Sequence, residues 1–381
     1  MHHFLAPLAC ALVLAGPTTF VRAELLVPQS DAEVIETLPA AGGSRAEERA
    51  LRRRWAANPA DPGLAATLAR RYIDRARAQG DPRFAGQALA VLQAWPEAAI
   101  APAEVLLMRA TVQQYLHAFD ESASTLERLV TREPQHAQAW LTLATVRRVQ
   151  GRYAESDVAC AALARIGPPL YAQACKAENE SLRGAFGTAL ASLRRLLAVA
   201  ARDAGTRNWL LTSVAELESR AGHPVEADAA YRAALAASAD AYTTLSYVDF
   251  LLEQDRRADA LMQLRDQARS DAVLLRLAIA GRNAQSPDAR EMRERLALAA
   301  LRPEARTTHA REQAMFALWV DRNPEHALAL ARENVRHQRE PLDLLVLAHA
   351  ARAAGDAAAL QETATLAQEI GLHDLRLEAL L

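Results

Sequence analysis

This chain contains a sequence repeat, and the repeat restricts the possible folds more than any other feature. Two consecutive segments between Ala103 and Leu170 carry matching residue types about 34 positions apart. In order, Leu106, Ala110, Phe119, Ser122, Leu126 and Pro134 return as Trp140, Ala144, Tyr153, Ser156, Cys160 and Pro168. A period of ~34 residues is that of a helix-turn-helix unit, which cannot bury its apolar face alone and therefore stacks on its neighbours.

The residue types within the repeat suit two antiparallel helices. Small side chains are needed where helix axes come closest, and Ala110 and Ala144 occupy that position, whereas Trp140 and Tyr153 fill the spaces between helices. Gly151 falls in the turn, where a left-handed conformation costs glycine little. A proline follows each second helix and stops it.

Weaker copies of the pattern continue on both sides, so we predict an all-α fold. It would be a right-handed superhelical solenoid of about nine degenerate repeats spanning residues 62–375. A charged capping helix is expected at 45–61, with Ser44 as its N-cap and Glu47 at the capping-box position. A short cap at 376–381 would close the array. The repeat boundaries are least defined in 273–307.

The N-terminal residues 1–23 have the features of a secretory signal peptide. An apolar run from Phe4 to Ala15 is broken by Gly16 and Pro17, and small residues precede a cleavage site before Glu24. Lipid attachment at Cys10 is the less favoured alternative, because a proline lies where such sites require an aliphatic residue. We therefore expect export to the periplasm, an extended lead-in at 24–44, and no membrane-spanning segment after cleavage.

Charge and composition argue against two classes of partner. The formal net charge is −2 for 381 residues, so neither a nucleic-acid stripe nor a basic membrane-surface patch is implied. No phosphate-binding loop, nucleophile elbow or metalloprotease helix is present, and the histidines are scattered. The sequence predicts no catalytic residues, no cofactor and no metal site.

These features together resemble the tetratricopeptide repeat (TPR) family. The stretches 80–84, 139–142 and 334–341 are similar to those of exported, largely uncharacterised bacterial TPR proteins. The resemblance implies a non-enzymatic scaffold that holds a protein or peptide partner in the concave groove of the solenoid, in envelope assembly or beside an envelope membrane protein. Because similar proteins accompany membrane permeases, it also implies an alternative role as an accessory subunit of a metal or solute transporter.

Cys160 and Cys175 are the two cysteines that remain after signal cleavage. They lie almost equally far from the turn at Gly167 and Pro168, so antiparallel helices would bring them within bridging distance. In an oxidising compartment we expect a disulfide, which would add ~3 kcal/mol of stability. Two separately buried small residues, or a thiol-redox protein, are the alternatives.

The groove prediction rests on first-helix residues of mixed aromatic and polar character, which suit protein recognition. The predicted groove residues are Gln114, Tyr115, Thr145, Arg148, Trp209, Glu216, Tyr242 and Asp249. Core packing is an equal alternative for Trp209 and Tyr242 and is favoured for Trp140. A carboxylate clamp formed by Arg148, Arg183 and Asn179 would be incomplete, so a solvated helix face is preferred there.

Overall fold

The computed structural model describes residues 43–381 apart from residues 80, 82, 97–99, 201–202 and 302–309. The predicted signal peptide, and the lead-in as far as residue 42, lie outside the described residues. Every regular element within the described ranges is helical. Two compact units are distinguished, Met1–Glu47 and Glu48–Leu381, and all of the helical pairs belong to the second.

Within the described ranges nine helical pairs follow one another, in agreement with the predicted repeat number. The first helices of the pairs are α2 (Pro62–Gln79), α4 (Ala103–Tyr115), α6 (Ala137–Val149), α8 (Pro169–Leu182), α10 (Ala204–Arg220), α12 (Ala241–Glu253), α14 (Asp271–Gly281), α16 (Ala310–Trp319) and α18 (Pro341–Ala354). The second helices are α3 (Arg83–Val91), α5 (Phe119–Arg132), α7 (Tyr153–Ile166), α9 (Phe186–Val199), α11 (Pro224–Ala237), α13 (Arg257–Leu264), α15 (Pro287–Ala300), α17 (Pro324–Asn334) and α19 (Ala357–Ile370). They are preceded by α1 (Gly43–Ala57), inside which Ser44 lies, and followed by α20 (Leu375–Glu378).

Each first helix packs against its own second helix and against the first helix of the next pair. The repeated serines of the sequence explain how closely the helices of one pair approach. Ser122 Oγ donates to the carbonyl oxygen of Ala110 at 2.9 Å, and Ser156 Oγ donates to that of Ala144 at 2.8 Å. All four residues are buried. The prediction of stacked helical pairs with small residues at the crossings is therefore confirmed.

The turn within the second to the ninth pair contains a left-handed residue. Gly151 has φ 73° in the turn between α6 and α7, and His117 has φ 60° at the matching position one repeat earlier. An L-residue in this region is strained by contact between its Cβ and the backbone, whereas glycine is not. The turn geometry is thus preserved between repeats even where glycine is absent.

The C-terminal end of the array contacts its middle pairs, which the sequence did not indicate. The backbone N–H of Arg339, before α18, donates to the carbonyl oxygen of Val149 at the end of α6, with a distance of 2.7 Å. The N–H of His373, after α19, donates to the carbonyl oxygen of Leu182 at the end of α8, at 2.8 Å. The residues that flank the last pair therefore lie against the turns of the third and fourth pairs.

Apolar packing and an ion pair complete this contact, which we call the closure seam. Arg376 of α20 donates to Asp374 at 2.6 Å, to Glu253 of α12 at 2.9 Å and to Ser219 of α10 at 3.1 Å. The buried apolar side chains of the seam are Tyr153, Leu182, Leu344, Leu345, Ala348, Ala367, Leu372 and Leu377. The predicted C-terminal cap is consequently part of a contact between the C-terminal end of the repeat array and its middle pairs.

Candidate functional site

Four first helices, α6, α8, α10 and α12, present a continuous polar and aromatic surface. We call it the first-helix surface and define it by Arg148, Glu178, Trp209, Glu216, Tyr242 and Asp249. Five of these six residues were predicted as groove residues, and Glu178 was not. All are half-buried except Tyr242, which is 63% exposed.

Glu178 accepts the hydrogen bonds that connect one part of this surface. Its carboxylate accepts from Arg148 Nη1, from Trp209 Nε1 at 3.1 Å and from Ser213 Oγ at 2.9 Å. Burial lowers the pKa of Arg148 to about 10, while contact with a carboxylate acts in the opposite direction because it favours the charged form. Arg148 therefore remains a cation at neutral pH, and three first helices are joined through one carboxylate.

A second, similar centre surrounds Glu216. Its carboxylate accepts from Tyr242 Oη at 2.7 Å and from Ser246 Oγ at 3.2 Å. The negative charge of Glu216 holds the pKa of Tyr242 above its ordinary value, so the phenol stays protonated and donates. No ion pair with Glu216 is found among the described residues. By contrast, Asp249 accepts two hydrogen bonds from Arg276, at 2.7 and 2.5 Å.

The two centres repeat one arrangement of side chains. Trp209, Ser213 and Glu216 lie on one face of α10, and Tyr242, Ser246 and Asp249 lie at the matching positions of α12. Residues four and seven positions apart share a helix face. In each case the aromatic group and the serine of one helix donate to the acid of the preceding first helix. The pattern aromatic–small–acid therefore links neighbouring repeats.

The same pattern continues into α8, where Tyr171, Cys175 and Glu178 occupy the three positions. The aromatic residues each stand eleven positions before the last residue of their helix, so they form a row of matching positions on adjacent first helices, which we call the aromatic row. The centroids of Tyr171 and Trp209 are 5.9 Å apart, within the distance of attractive aromatic pairs. Tyr171 was not predicted, although the repeated spacing of four and three residues would have indicated it.

Three of the predicted groove residues lie outside this network. Thr145 Oγ1 donates to the carbonyl oxygen of Leu141 in its own helix at 3.1 Å. Gln114 and Tyr115 are half-buried at the end of α4, where burial raises the pKa of the Tyr115 phenol. Trp140 packs against the core, and its Nε1 donates to the carbonyl oxygen of Pro134 at 2.9 Å.

The two cysteines form a disulfide between α7 and α8, as predicted. The Cα atoms of Cys160 and Cys175 are 5.8 Å apart, and both side chains are buried. Asn179 is buried beside them and donates to Ser156 Oγ at 3.0 Å and Asp157 Oδ1 at 2.8 Å. Catalytic disulfides are partly exposed, and this one is enclosed by the core.

The carboxylate clamp considered from the sequence is not assembled. Arg183 forms an ion pair with Asp157 at 2.6 Å, and Asn179 is buried beside the disulfide, where it also donates to Asp157. In the described part of the chain, no group of three or more His, Cys, Asp or Glu side chains is placed to hold a metal ion. None of the described helices is both long and apolar enough to cross a membrane.

Comparison with known proteins finds similarity among solved structures. No protein-family model matches the chain, and no curated protein sequence does. A tetratricopeptide repeat protein from Parabacteroides merdae is similar, with 16% identity, a TM-score of 0.43, and coverage of 58% of this chain and 84% of that one. PilW, a widely conserved type IV pilus biogenesis factor, is similar with 18% identity, a TM-score of 0.40, and coverage of 60% of this chain and 97% of its own.

Proposed function

We propose that the protein is a non-enzymatic scaffold that binds an extended segment of a partner protein on the first-helix surface. The observation that carries this proposal is the aromatic–small–acid pattern repeated on α8, α10 and α12. A surface that repeats at regular spacing along a rigid array suits an extended chain. Aromatic residues that keep one face open supply contact area with little loss of side-chain entropy.

The chemistry of the surface favours a basic residue in that segment. Glu216 has no cation within ion-pair distance among the described residues, and the neighbouring Tyr242 ring is 63% exposed. A guanidinium or ammonium group can lie over an aromatic ring and pair with an adjacent carboxylate at the same time. The partner would therefore place an arginine or lysine between Tyr242 and Glu216.

The cellular setting is part of the proposal and rests on residues 1–23. Their pattern supports export, so the partner would be a protein of the bacterial envelope, including the periplasmic part of a membrane protein. Cell fractionation with N-terminal sequencing of the purified chain tests the setting. A mature protein that begins at Glu24 and is released with the periplasm is expected, and retention of Met1 in the cytoplasm would contradict it.

Site-specific photo-crosslinking tests the binding surface itself. A photoreactive phenylalanine analogue replaces Tyr242 in one strain and Tyr171 in a second, and Val225 in a control strain. Val225 is 76% exposed on the second helix α11, away from the surface. The same partner should be captured from the first two positions and be absent from the third.

The captured partner is then purified and its affinity measured for the wild-type chain and for Glu216→Gln. Loss of a charged hydrogen bond should weaken binding by about tenfold or more. A partner captured equally from Val225, or bound equally by Glu216→Gln, would contradict the proposed surface. If the partner is a membrane transporter, the protein is an accessory subunit of that transporter.

A further inference from the structure

Three hydrogen-bond donors that are buried at the closure seam have no acceptor among the described residues. They are Arg148 Nε, Arg220 Nε and the hydroxyl of Tyr153. Arg220 is only 7% exposed and Tyr153 only 3%. A buried donor without a partner is destabilising, and more so when the group is charged. Three such donors in one region indicate that an acceptor belongs there.

Neighbouring residues connect the positions of the three donors. Arg220, the last residue of α10, reaches back to α8, where its Nη2 donates to Ser181 Oγ at 2.8 Å. Ser181 occupies the position in α8 that Arg148 occupies in α6, one residue before the helix end. The Tyr153 ring packs in the same apolar cluster as Leu182, the neighbour of Ser181. The charges of Arg148 and Arg220 also act on the Tyr153 phenol, opposing the rise in its pKa that burial causes.

Three carboxylates around this cluster already accept from an arginine. Glu178 is bound to Arg148 through Nη1 and leaves the Nε of that arginine unpaired. Glu340 and Asp343 of the seam both accept from Arg311. Arg220 forms no ion pair within the described residues, and its Nε has no acceptor there. A buried charged group whose donors are not all satisfied is destabilising.

We infer that the seam holds a small oxygen-bearing anion, a carboxylate or an inorganic phosphate, between Arg148, Arg220 and Tyr153. Two guanidinium groups and one phenol supply donors to at least two oxygens, as charge-assisted anion sites do. The site shares Arg148 with the proposed partner surface, whereas Arg220 and Tyr153 lie outside that surface. Because Tyr153 packs against Leu344 and Leu345 of α18, a bound anion would also stabilise the closed array.

Titration of the purified full chain with defined anions tests this inference. Inorganic phosphate and acetate are added separately at constant ionic strength in a chloride buffer, and heat of binding and melting temperature are recorded. A saturable rise in melting temperature with one or both anions is expected. Stronger binding of phosphate would identify a phosphate site, and stronger binding of acetate would identify a carboxylate site.

Three variants decide whether the effect arises at the seam. Arg220→Gln should weaken anion binding by about tenfold or more, and Tyr153→Phe by a smaller factor, because it removes one neutral hydrogen bond. Tyr153→Phe removes only a hydroxyl that has no partner in the protein, so its folding is not at risk if Arg220→Gln is unstable. Arg165→Gln, an exposed site on α7, is the matched control and should bind as the wild type does.

The inference is overturned if neither anion produces a saturable response, in which case buried water satisfies the three donors. It is equally overturned if Tyr153→Phe and Arg220→Gln respond to the anions as strongly as Arg165→Gln does, because the effect would then be a general salt effect on the folded chain.

Discussion

Replacing Arg376 by alanine should open the closure seam while leaving the rest of the array folded. The guanidinium of Arg376 holds Asp374, whose side chain is 0% exposed, and also reaches Glu253 and Ser219 on two middle pairs. Its removal leaves a buried carboxylate without its cation. The seam also contains two backbone hydrogen bonds, from His373 and Arg339, that report directly on its opening.

The expected magnitude follows from the burial of this pair. Breaking a buried ion pair by removing one partner costs roughly 3–5 kcal/mol. Arg376 keeps part of its side chain exposed, so we expect the lower end of this range. Since about 1.4 kcal/mol corresponds to a factor of ten, the population of the opened seam should rise by roughly a hundredfold.

Hydrogen exchange measured by mass spectrometry can detect this change locally. In Arg376→Ala, the peptide that contains the His373 amide should exchange about a hundred times faster, since exchange from a locally opened state follows its population. Peptides from α4 and α5 should exchange as in the wild type. If the seam opens as one unit, the amide of Arg339 will accelerate together with that of His373.

Arg336→Ala provides the matched control, because Arg336 is an exposed arginine paired with Glu333 three residues earlier at 3.0 Å. Exposed pairs contribute little, about 0–1 kcal/mol. Equal exchange of the His373 peptide in Arg376→Ala and Arg336→Ala would refute the reasoning. So would a uniform acceleration along the whole chain, since it would mean that the seam cannot open independently.

Three further predictions concern stability. The disulfide closes a loop between residues 15 positions apart, so the double variant Cys160→Ala/Cys175→Ala should lose about 3 kcal/mol in the free energy of unfolding measured by urea denaturation. Burial holds the pKa of His349 below its ordinary value. The contribution of neutral His349 to the stability of the fold is therefore complete above the unfolded pKa of about 6.5, and it is lost as pH falls through the lower folded value. The drop in urea midpoint between pH 7.5 and pH 5 should accordingly be smaller in His349→Gln than in the wild type. Gly184 has φ 81°, and an added Cβ would lie 3.0 Å from the His373 side chain. Gly184→Ala should therefore cost at least about 1–2 kcal/mol and lower the melting temperature. An unchanged melting temperature would contradict the strained turn.

The repeat made the local architecture predictable. Side chains such as Ala110 and Ser122 act within one pair, so their spacing in the sequence is their spacing in the structure. The disulfide was predictable for the same reason, because Cys160 and Cys175 flank a single turn. The closure seam was not predictable, since it joins Arg376 to Glu253 and Ser219 across many repeats, and no local pattern records such a contact.

The candidate site was predicted in part. Trp209, Glu216, Tyr242 and Asp249 were identified by their place on the first helices, but their hydrogen-bond partners were not. Glu178 was missed because α10 has 17 residues and α8 has 14, so the spacing between their matching positions departs from the period. Aligning the helices by their C-terminal ends restores the pattern.

The aromatic row of the proposed partner surface and the anion site lie at different heights along the same helices. In α10, Trp209 belongs to the aromatic row, whereas Arg220 lies eleven residues later at the closure seam, about 16 Å along a helix with a rise of 1.5 Å per residue. A partner can therefore occupy the aromatic row while the seam stays closed. Arg148 belongs to both sites, since its Nη1 contacts Glu178 and its Nε lies unpaired at the seam. A substitution at Arg148 consequently affects both sites together, whereas Tyr242 and Arg220 can be changed to separate partner binding from anion binding.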